Sequence, residues 1–304
     1  MNDIMKTAFS FLFLAIMLSA CNYNDPGSVY DNRSFTFPEG KHKALVLSYD
    51  DGLVHDRKMV AILNKYKIRG TFHLNSAKLG ASADWLAEVY GEGSQYVKPE
   101  EIQSLYENHE VASHTANHPH LFNQPDSLIK AEVEMDIEVL EKLTGKPVKS
   151  LAYPFGDSDK HIASILEQTA ITNARTINNT YGFGIPENFL LWHPTCHNTE
   201  AHKLVDTFKQ TADSIAIFYI WGHSWEFDGG QPYNSWEYLE ELCEQLAGDT
   251  DVWYTTAGLL ADYLLAMKEL EYTGARVTNN SEMALYLKKE GKVIELLPGK
   301  SVRL

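Results

Sequence analysis

The chain has 304 residues, and its 26 Lys and Arg against 41 Asp and Glu give a formal net charge of −15. Such an acidic surface repels nucleic acid and anionic lipid, so we expect neither as a partner. The length is sufficient for one large domain with a sizeable core and a small appendage. Cys196 and Cys243 have no motif spacing, and we predict no disulfide between them.

The first residues indicate export. The stretch "MKTAFSFLFLAIMLSAC" has one lysine, an apolar run from Ala8 to Met17 and small residues after it, which is typical of a secretory signal rather than a membrane span. Leu18–Cys21 resembles the bacterial lipobox, in which the cysteine becomes the lipidated first residue. We therefore expect a lipoprotein signal peptide over residues 1–20, a lipid anchor at Cys21 and a place in the bacterial cell envelope. A plain cleaved signal with an incidental cysteine is the alternative.

Beyond the signal, three regions follow. Residues 21–40 are polar, contain Pro and Gly and show no period, which is typical of a tether. Over residues 41–270, apolar runs such as "SIAIFYIW" alternate with amphipathic stretches such as "NSWEYLEELCEQL". About seven such strand-helix units predict an α/β fold, a distorted parallel (β/α) barrel. Residues 271–304 have short β-type runs around a Glu290–Gly291 turn and predict a small β appendage.

Polar motifs follow several of the predicted strands. Asp50 and Asp51 end the first strand, and "SHTANHPHL" places His114 and His118 four residues apart after the third. "AYPFGD" and "WGHSWEFD" end two later strands. Each motif alone could be a helix cap or a polar loop, but the carboxyl ends of parallel strands meet at one edge. Two imidazoles and a carboxylate there can hold one divalent ion and leave room for water.

These stretches resemble the signatures of the NodB-homology polysaccharide deacetylases, also called carbohydrate esterase family 4. The matching segments are Ser48–Gly52, His114–Pro119, Ala152–Gly156 and Ile220–His223, within about residues 43–265. The resemblance implies a metal-dependent hydrolase that removes acetyl groups from a polysaccharide, and we expect N-acetyl groups of an amino-sugar polymer. An O-acetyl esterase acting on a xylan-type glycan and an inactive carbohydrate-binding relative are the alternatives.

The resemblance also implies a role for each matching residue. Asp51, His114 and His118 would bind the metal, and zinc is the ion that best suits this ligand set. Asp50 would act as general base on the attacking water, and His223 would be the general acid that protonates the leaving amine.

Further positions would stabilise the oxyanion or contact the substrate. The backbone N–H of Phe155 would help to stabilise the tetrahedral oxyanion. Trp221, Tyr153 and Pro154 would line the acetyl pocket. Trp192 is another aromatic residue near these motifs, but it fits the hydrophobic core better.

The chain also departs from the family pattern. The third motif has Ala152 where relatives carry the arginine that holds the base aspartate, and Arg175 at the next strand end is the candidate replacement. No aspartate is evident to pair with the acid histidine. His193 is a weak candidate for that contact, and Glu226 or Asp228 could supply the carboxylate or merely line a wet loop.

Overall fold

The computed structural model describes residues 35–211 and 215–304. The expected signal peptide, Cys21 and the tether up to residue 34 lie outside the described residues. In chain order, strands β1 to β16 are Phe35–Thr36, Lys43–Asp51, Gly70–Leu74, Ser82–Ala83, Ser94–Gln95, Glu110–Ser113, Ser150–Ala152, Asn173–Arg175, Cys196–His197, Ala216–His223, Val252–Thr255, Leu270–Thr273, Arg276–Asn279, Leu285–Lys289, Lys292–Leu296 and Ser301–Arg303.

Eight α-helices and eight 3-10 helices connect these strands within the described residues. Helices α1 to α8 are Asp56–Lys65, Ala87–Tyr90, Ile102–Leu105, Asp126–Thr144, Lys160–Leu166, Val205–Gln210, Trp236–Leu246 and Ala257–Lys268. The 3-10 helices are Pro38–Gly40, Ser76–Lys78, Asp84–Leu86, Pro99–Glu101, Pro154–Gly156, Phe189–Leu191, Asn198–Lys203 and Ser224–Gly229.

The central sheet has eight parallel strands. Seven follow the order β8-β7-β6-β3-β2-β10-β9. On one side of β2, Lys43–Val46 pairs with β11 and Leu47–Asp51 pairs with β3, while β10 runs along the other side. Helices follow most of these strands, as the alternation of apolar and amphipathic stretches predicts. The expected α/β class with parallel strand-helix units is therefore confirmed.

A short segment joins the two edges of this sheet. The backbone N–H of Trp192 donates to the Ala174 carbonyl at 2.9 Å, and that of Thr176 donates to the Trp192 carbonyl at 2.9 Å. A few residues later, Cys196 and His197 pair with Ile220 and Trp221 of β10. The segment 192–197 thus contacts β8 at its start and β10 at its end, which closes a distorted barrel.

Two hydrophobic clusters hold the barrel and the appendage. Helices α1, α4, α5 and α7 bury apolar side chains against the sheet, including Leu63, Val133, Leu166 and Leu239. A second cluster packs α8 against Ala44 and Val46, which lie on the same face of β2 as Asp50, and against the C-terminal strands, and Trp192 lies in it. Each fully buried aliphatic or aromatic side chain contributes about 1.5–3 kcal/mol of burial free energy.

The C-terminal strands form two small antiparallel sheets, β1-β14-β15 and β12-β13-β16. Glu290 and Gly291, with φ of 49° and 78°, form the two-residue turn of the β14-β15 hairpin, as predicted. Phe35 and Thr36 pair with Leu287 and Tyr286, and Phe37 is fully buried. Residues 35–40 therefore belong to the folded domain, and the prediction that the tether extends to residue 40 is wrong at this end.

Two further features concern cysteines and membranes. Cys196 and Cys243 are both buried and form no disulfide within the described residues. In the ranges 35–211 and 215–304, no helix combines the length and the apolar character that crossing a bilayer requires.

Candidate active site

The carboxyl end of β2 turns sharply into the following loop. Asp51 has a φ of 79° and Gly52 a φ of 69°. A Cβ on Gly52 would lie 2.6 Å from Cδ2 of Leu74, so this position requires glycine. Thr115, His118 and Phe155, in neighbouring loops, also have positive φ. Non-glycine residues in this region cost free energy, and such strain is often found at functional sites.

Asp51, His114 and His118 bring three ligand atoms together. Oδ1 of Asp51 lies 3.8 Å from Nε2 of His114 and 3.7 Å from Nε2 of His118. All the candidate ligand atoms of the three residues lie within 4.8 Å of one another. Two ligand atoms on one tetrahedral zinc ion are about 3.4 Å apart, as follows from metal-ligand distances of about 2.0–2.2 Å. The donor set therefore fits a divalent metal.

Hydrogen bonds leave the metal-facing atoms available. Nδ1–H of His114 donates to the Ala152 carbonyl at 2.8 Å, which fixes the tautomer with a lone pair on Nε2. The Trp225 indole N–H donates to Oδ2 of Asp51 at 2.8 Å and leaves Oδ1 open. Burial lowers the pKa of His114 and, with the neighbouring His114, lowers that of His118 to about 3. Both imidazoles are thus neutral near pH 7, the form that binds metals.

Asp50 forms a buried ion pair with Arg175. The guanidinium contacts both carboxylate oxygens, and its Nε donates to Oγ of Ser48 at 3.1 Å. Arg175 is only 1% exposed. Burial alone would raise the pKa of Asp50, but the Arg175 charge and, to a lesser extent, nearby histidines hold it well below the usual range. Asp50 is therefore ionised at neutral pH.

The position of Arg175 explains how it reaches Asp50 in place of the motif arginine. In the parallel pairing of β7 and β8, Arg175 is the register partner of Ala152. The arginine thus lies one strand further along the barrel at the same level. Its guanidinium also stacks 4.8 Å from the centre of the Trp221 ring, whose N–H donates to Oδ1 of Asn179 at 2.8 Å.

A second cluster surrounds His223. Its Nδ1–H donates to Oε1 of Glu226 at 3.3 Å, its backbone N–H donates to Oε2 at 3.2 Å, and Nε2 of His197 lies 3.2 Å from Oε2. Burial alone would lower the pKa of His223, but the Glu226 hydrogen bond and the charges of Asp51, Glu226 and Asp50 raise it to about 9. Burial alone would raise the pKa of Glu226, but both histidines lower it to about 2. His223 is thus protonated beside an ionised carboxylate.

The other candidate partners of His223 contact different groups. Asp228 pairs with His55 at 2.9 Å and accepts the Trp236 indole N–H at 2.5 Å. His193 is exposed and hydrogen-bonds Oγ1 of Thr176 at 2.7 Å. Of the carboxylates left open by the sequence, Glu226 is the one that contacts His223.

Most of the predicted site residues line one cleft of about 550 Å³ at the carboxyl edge of the barrel. They are Asp50, Asp51, His114, His118, Tyr153, Phe155, Trp221 and His223. Pro154 is buried and does not line the cleft, and the Tyr153 hydroxyl is already bound to the Leu190 carbonyl at 2.6 Å. Pro154 and Tyr153 therefore provide fewer contacts for a substrate than the sequence predicted.

Phe155 lies at the mouth of the cleft. The residue is 54% exposed, and its ring stacks on that of His120 with 3.8 Å between ring centres. Its backbone has a φ of 57°, and within the described ranges its N–H donates to no acceptor.

Several cleft residues were missed from the sequence. Trp225 holds Asp51, and Lys78, Trp85, Tyr96 and Ile177 line the walls. All five lie at the carboxyl edge, in loops or short 3-10 helices whose positions the parallel-strand pattern does not predict. Trp225, two residues beyond His223, was the one that the tryptophan-rich "WGHSWEFD" stretch could have indicated.

The comparisons with known proteins agree with this geometry. Residues 38–174 match the polysaccharide deacetylase family. The matched range contains Asp50, Asp51, His114, His118 and Phe155, whereas Arg175 and His223 follow it. The match supports the family indicated by the sequence motifs.

The chain is also similar to several solved structures. A Bacillus cereus polysaccharide deacetylase is 25% identical, with 48% of this chain and 44% of that chain covered and a TM-score of 0.39. A Mycobacterium smegmatis protein assigned to the polysaccharide deacetylases is 16% identical, with 77% and 94% covered and a TM-score of 0.53, which supports the fold. A Streptomyces lividans family 4 carbohydrate esterase in complex with acetate is 13% identical, with 70% and 91% covered and a TM-score of 0.45.

This chain spans less than half of the Bacillus cereus protein. No curated protein matches the sequence.

Proposed function

We propose that the chain is a metal-dependent polysaccharide deacetylase in which Asp51, His114 and His118 hold a zinc ion. The observation that carries this proposal is the approach of Oδ1 of Asp51 to two imidazole Nε2 atoms at 3.7 and 3.8 Å. Trp225 holds Oδ2 of Asp51, and the Ala152 carbonyl holds Nδ1–H of His114. A bound zinc ion supplies a Lewis acid that polarises the acetyl carbonyl and increases the acidity of water.

Asp50 and His223 supply the proton transfers. Asp50 is ionised in the same cleft, held by Arg175, and accepts the proton of the attacking water. His223 is protonated and donates its proton to the leaving nitrogen or oxygen. The Glu226 carboxylate accepts a hydrogen bond from Nδ1–H and so holds the ring in place before and after this transfer. The backbone N–H of Phe155 stabilises the oxyanion, at about 3 kcal/mol for one such donor.

The chemistry of the leaving group supports N-acetyl groups of an amino-sugar polymer over O-acetyl groups. An amine must be protonated before it can leave, whereas an alcohol departs with less assistance from an acid. The hydrogen bond from His223 to Glu226 favours the protonated ring, and a protonated acid is what an amine leaving group requires. The same cleft could still accept an O-acetylated xylan-type glycan.

Two further candidate functions have less support. An inactive carbohydrate-binding relative was suggested by Ala152, but Arg175 contacts Asp50 in place of the missing arginine. A structural zinc site would need a fourth protein ligand. The candidates contact other groups: Nε2 of His73 hydrogen-bonds Ser48 at 2.9 Å and His197 contacts Glu226.

We also propose, from the sequence, that the protein is a lipoprotein of the bacterial cell envelope anchored through Cys21. The lipobox-like stretch before Cys21 supports this proposal. Mass spectrometry of the protein from bacterial membranes should find a lipidated cysteine at its mature N-terminus, and a Cys21→Ala variant should leave the membrane fraction.

The test of the enzymatic proposal is acetate release. The purified protein is stripped of metal, reconstituted with zinc, cobalt or nickel, and incubated with chito-oligomers, peptidoglycan and acetylated xylan. We expect release that depends on metal, and an Asp50→Asn variant should lose release while it keeps its metal. Absence of acetate from every substrate, with carbohydrate binding retained, would favour the inactive binder instead.

A further inference from the structure

Lys78 lies on the wall of the candidate active-site cleft and is half-buried. It ends the 3-10 helix Ser76–Lys78, whose first residue donates its backbone N–H to Oδ1 of Asp136 at 2.8 Å. Ala77 N–H donates to the Ala116 carbonyl at 3.1 Å. The backbone at Lys78 is therefore fixed to the same loop that carries the two imidazole ligands.

The Lys78 ammonium has no acidic partner. It lies 5.7 Å from the centre of the Tyr96 ring, and in residues 35–211 and 215–304 no carboxylate oxygen is within 4.0 Å of it. The Asp50–Arg175 and Glu226–His223 pairs each balance their own charges. Because a divalent ion exceeds the single charge of Asp51, the cleft with its ion is cationic, although the whole chain has a net charge of −15.

Aromatic rings stand next to this cation. Trp85 and Trp225 pack edge to face with 5.4 Å between ring centres, and the Trp85 N–H donates to the Tyr96 hydroxyl at 3.2 Å. All three rings line the cleft. The apolar C–H face of a pyranose packs well on such rings, so Lys78 would lie beside a bound sugar unit.

We infer that the substrate is an acidic glycan, and that Lys78 binds a carboxylate of a sugar unit next to the acetylated one. This inference rests on the proposed deacetylase function. A neutral glycan offers the Lys78 ammonium only uncharged acceptors in exchange for its water, whereas a carboxylate forms a stronger, charge-assisted hydrogen bond. Salt screens the repulsion between the acidic surface and an acidic glycan over about 8 Å at physiological ionic strength. The local charge of the cleft therefore determines whether the glycan is attracted there.

The test uses two matched pairs of polymers. One is an oligosaccharide of alternating glucuronic acid and N-acetylglucosamine, and the other is O-acetylated galacturonan. Each is compared with its carboxyl-reduced form, in which the carboxylate has become a hydroxymethyl group. For at least one pair we expect kcat/KM for acetate release to be about 10-fold or more higher with the acidic form, and the preference should shrink in high salt.

Variants locate the preference. Lys78→Met should remove it by lowering kcat/KM for the acidic form alone, while Lys78→Arg should keep most of it. Lys98→Met is the matched control, since Lys98 is exposed and does not line the cleft. Binding to the metal-stripped protein, measured by calorimetry, should show the same order of affinities without any turnover.

Three results would overturn the inference. The first is equal kcat/KM for acidic and reduced polymers in both pairs, and the second is an equal loss with both forms in Lys78→Met, which would place Lys78 at the acetyl group itself. The third is binding by the metal-stripped protein that does not favour the acidic form. Acetate release from neutral chito-oligomers in any of these cases would leave the deacetylase proposal intact, so the two failures are distinguishable.

Discussion

Two clusters at the carboxyl edge of the barrel have the same composition, two histidines and one carboxylate. In the first, Asp51 and the two imidazoles stand 3.7 and 3.8 Å apart without hydrogen bonds between them. In the second, Glu226 lies between His223 and His197 and contacts them at 3.3 and 3.2 Å.

The difference arises from the groups around each cluster. In the first, the Trp225 indole is bound to Oδ2 of Asp51 and the Ala152 carbonyl to Nδ1–H of His114, so the remaining Oδ1 and Nε2 atoms face one another. In the second, the carboxylate itself is the hydrogen-bond partner, so the cluster is already satisfied. Residue composition alone therefore does not distinguish a metal centre from a proton-transfer pair, whereas the surrounding hydrogen bonds do.

The largest expected effect comes from a substitution that disrupts the first cluster. His114→Ala removes one of the three proposed ligands, so we expect zinc binding to be lost and acetate release to fall by about 1,000-fold or more. Metal content by mass spectrometry and an acetate assay measure both. His161→Ala, an exposed histidine paired with Asp126, is the control and should keep both. Full zinc occupancy in His114→Ala would contradict the assignment.

A second test concerns the ion pair between the two clusters. Arg175→Met leaves Asp50 buried without its cation, so we expect the free energy of unfolding to fall by about 3–5 kcal/mol. Urea denaturation measures this loss. The double variant Arg175→Met with Asp50→Asn should recover a large part of it, because the uncompensated charge is gone. A single variant as stable as the parent would show that the pair contributes nothing to stability.

The third test addresses the second cluster. Glu226→Gln replaces the charged acceptor of His223 by a neutral amide oxygen, and so removes one of the causes, beside the Asp51 and Asp50 charges, that raise the pKa of His223 to about 9. Because the acid acts only when protonated, activity is lost as pH rises through this pKa. The alkaline limb of kcat/KM should therefore move to lower pH by about one unit or more, with kcat/KM about 10- to 100-fold lower and zinc retained. Asp228→Asn, on the same 3-10 helix, should leave the limb in place.

The smallest expected effect concerns the hydrogen bond that Trp225 makes to the first cluster. Trp225→Phe removes the hydrogen bond to Oδ2 of Asp51 but keeps an aromatic ring, so zinc affinity should weaken by about 10-fold in a competition with a chelator. Trp85→Phe removes a hydrogen bond to Tyr96 instead and should leave zinc affinity unchanged. Equal zinc affinities in both variants and the parent would mean that the indole does not orient Asp51.

The sequence predicted those features that depend on local periodicity. Strand-length apolar runs located β2 and β6, and their ends located Asp51 and His114, because parallel strands align their carboxyl ends. Arg175 was also found this way, as a charged residue at the next strand end.

Features that depend on distant contacts were less accessible. The strand Phe35–Thr36 was missed because its partners lie about 250 residues away, and two residues give no period. Glu226 stayed one of several carboxylates because its spacing from His223 does not reveal the hydrogen bond. Lys78 and Trp85 lie on short 3-10 helices between strands, whose positions the sequence pattern does not define.

The position of Phe35 has a consequence for how the molecule is oriented. Phe37 packs 5.8 Å from Trp253 of β11, and the backbone N–H of His42 donates to Asp251 at 2.9 Å, both near the amino ends of the barrel strands. Any segment before Phe35 therefore joins the molecule at the pole opposite the mouth of the cleft. A protein held at a surface from that side would point its cleft outward, toward polymer strands beyond the surface rather than toward the lipid beneath it.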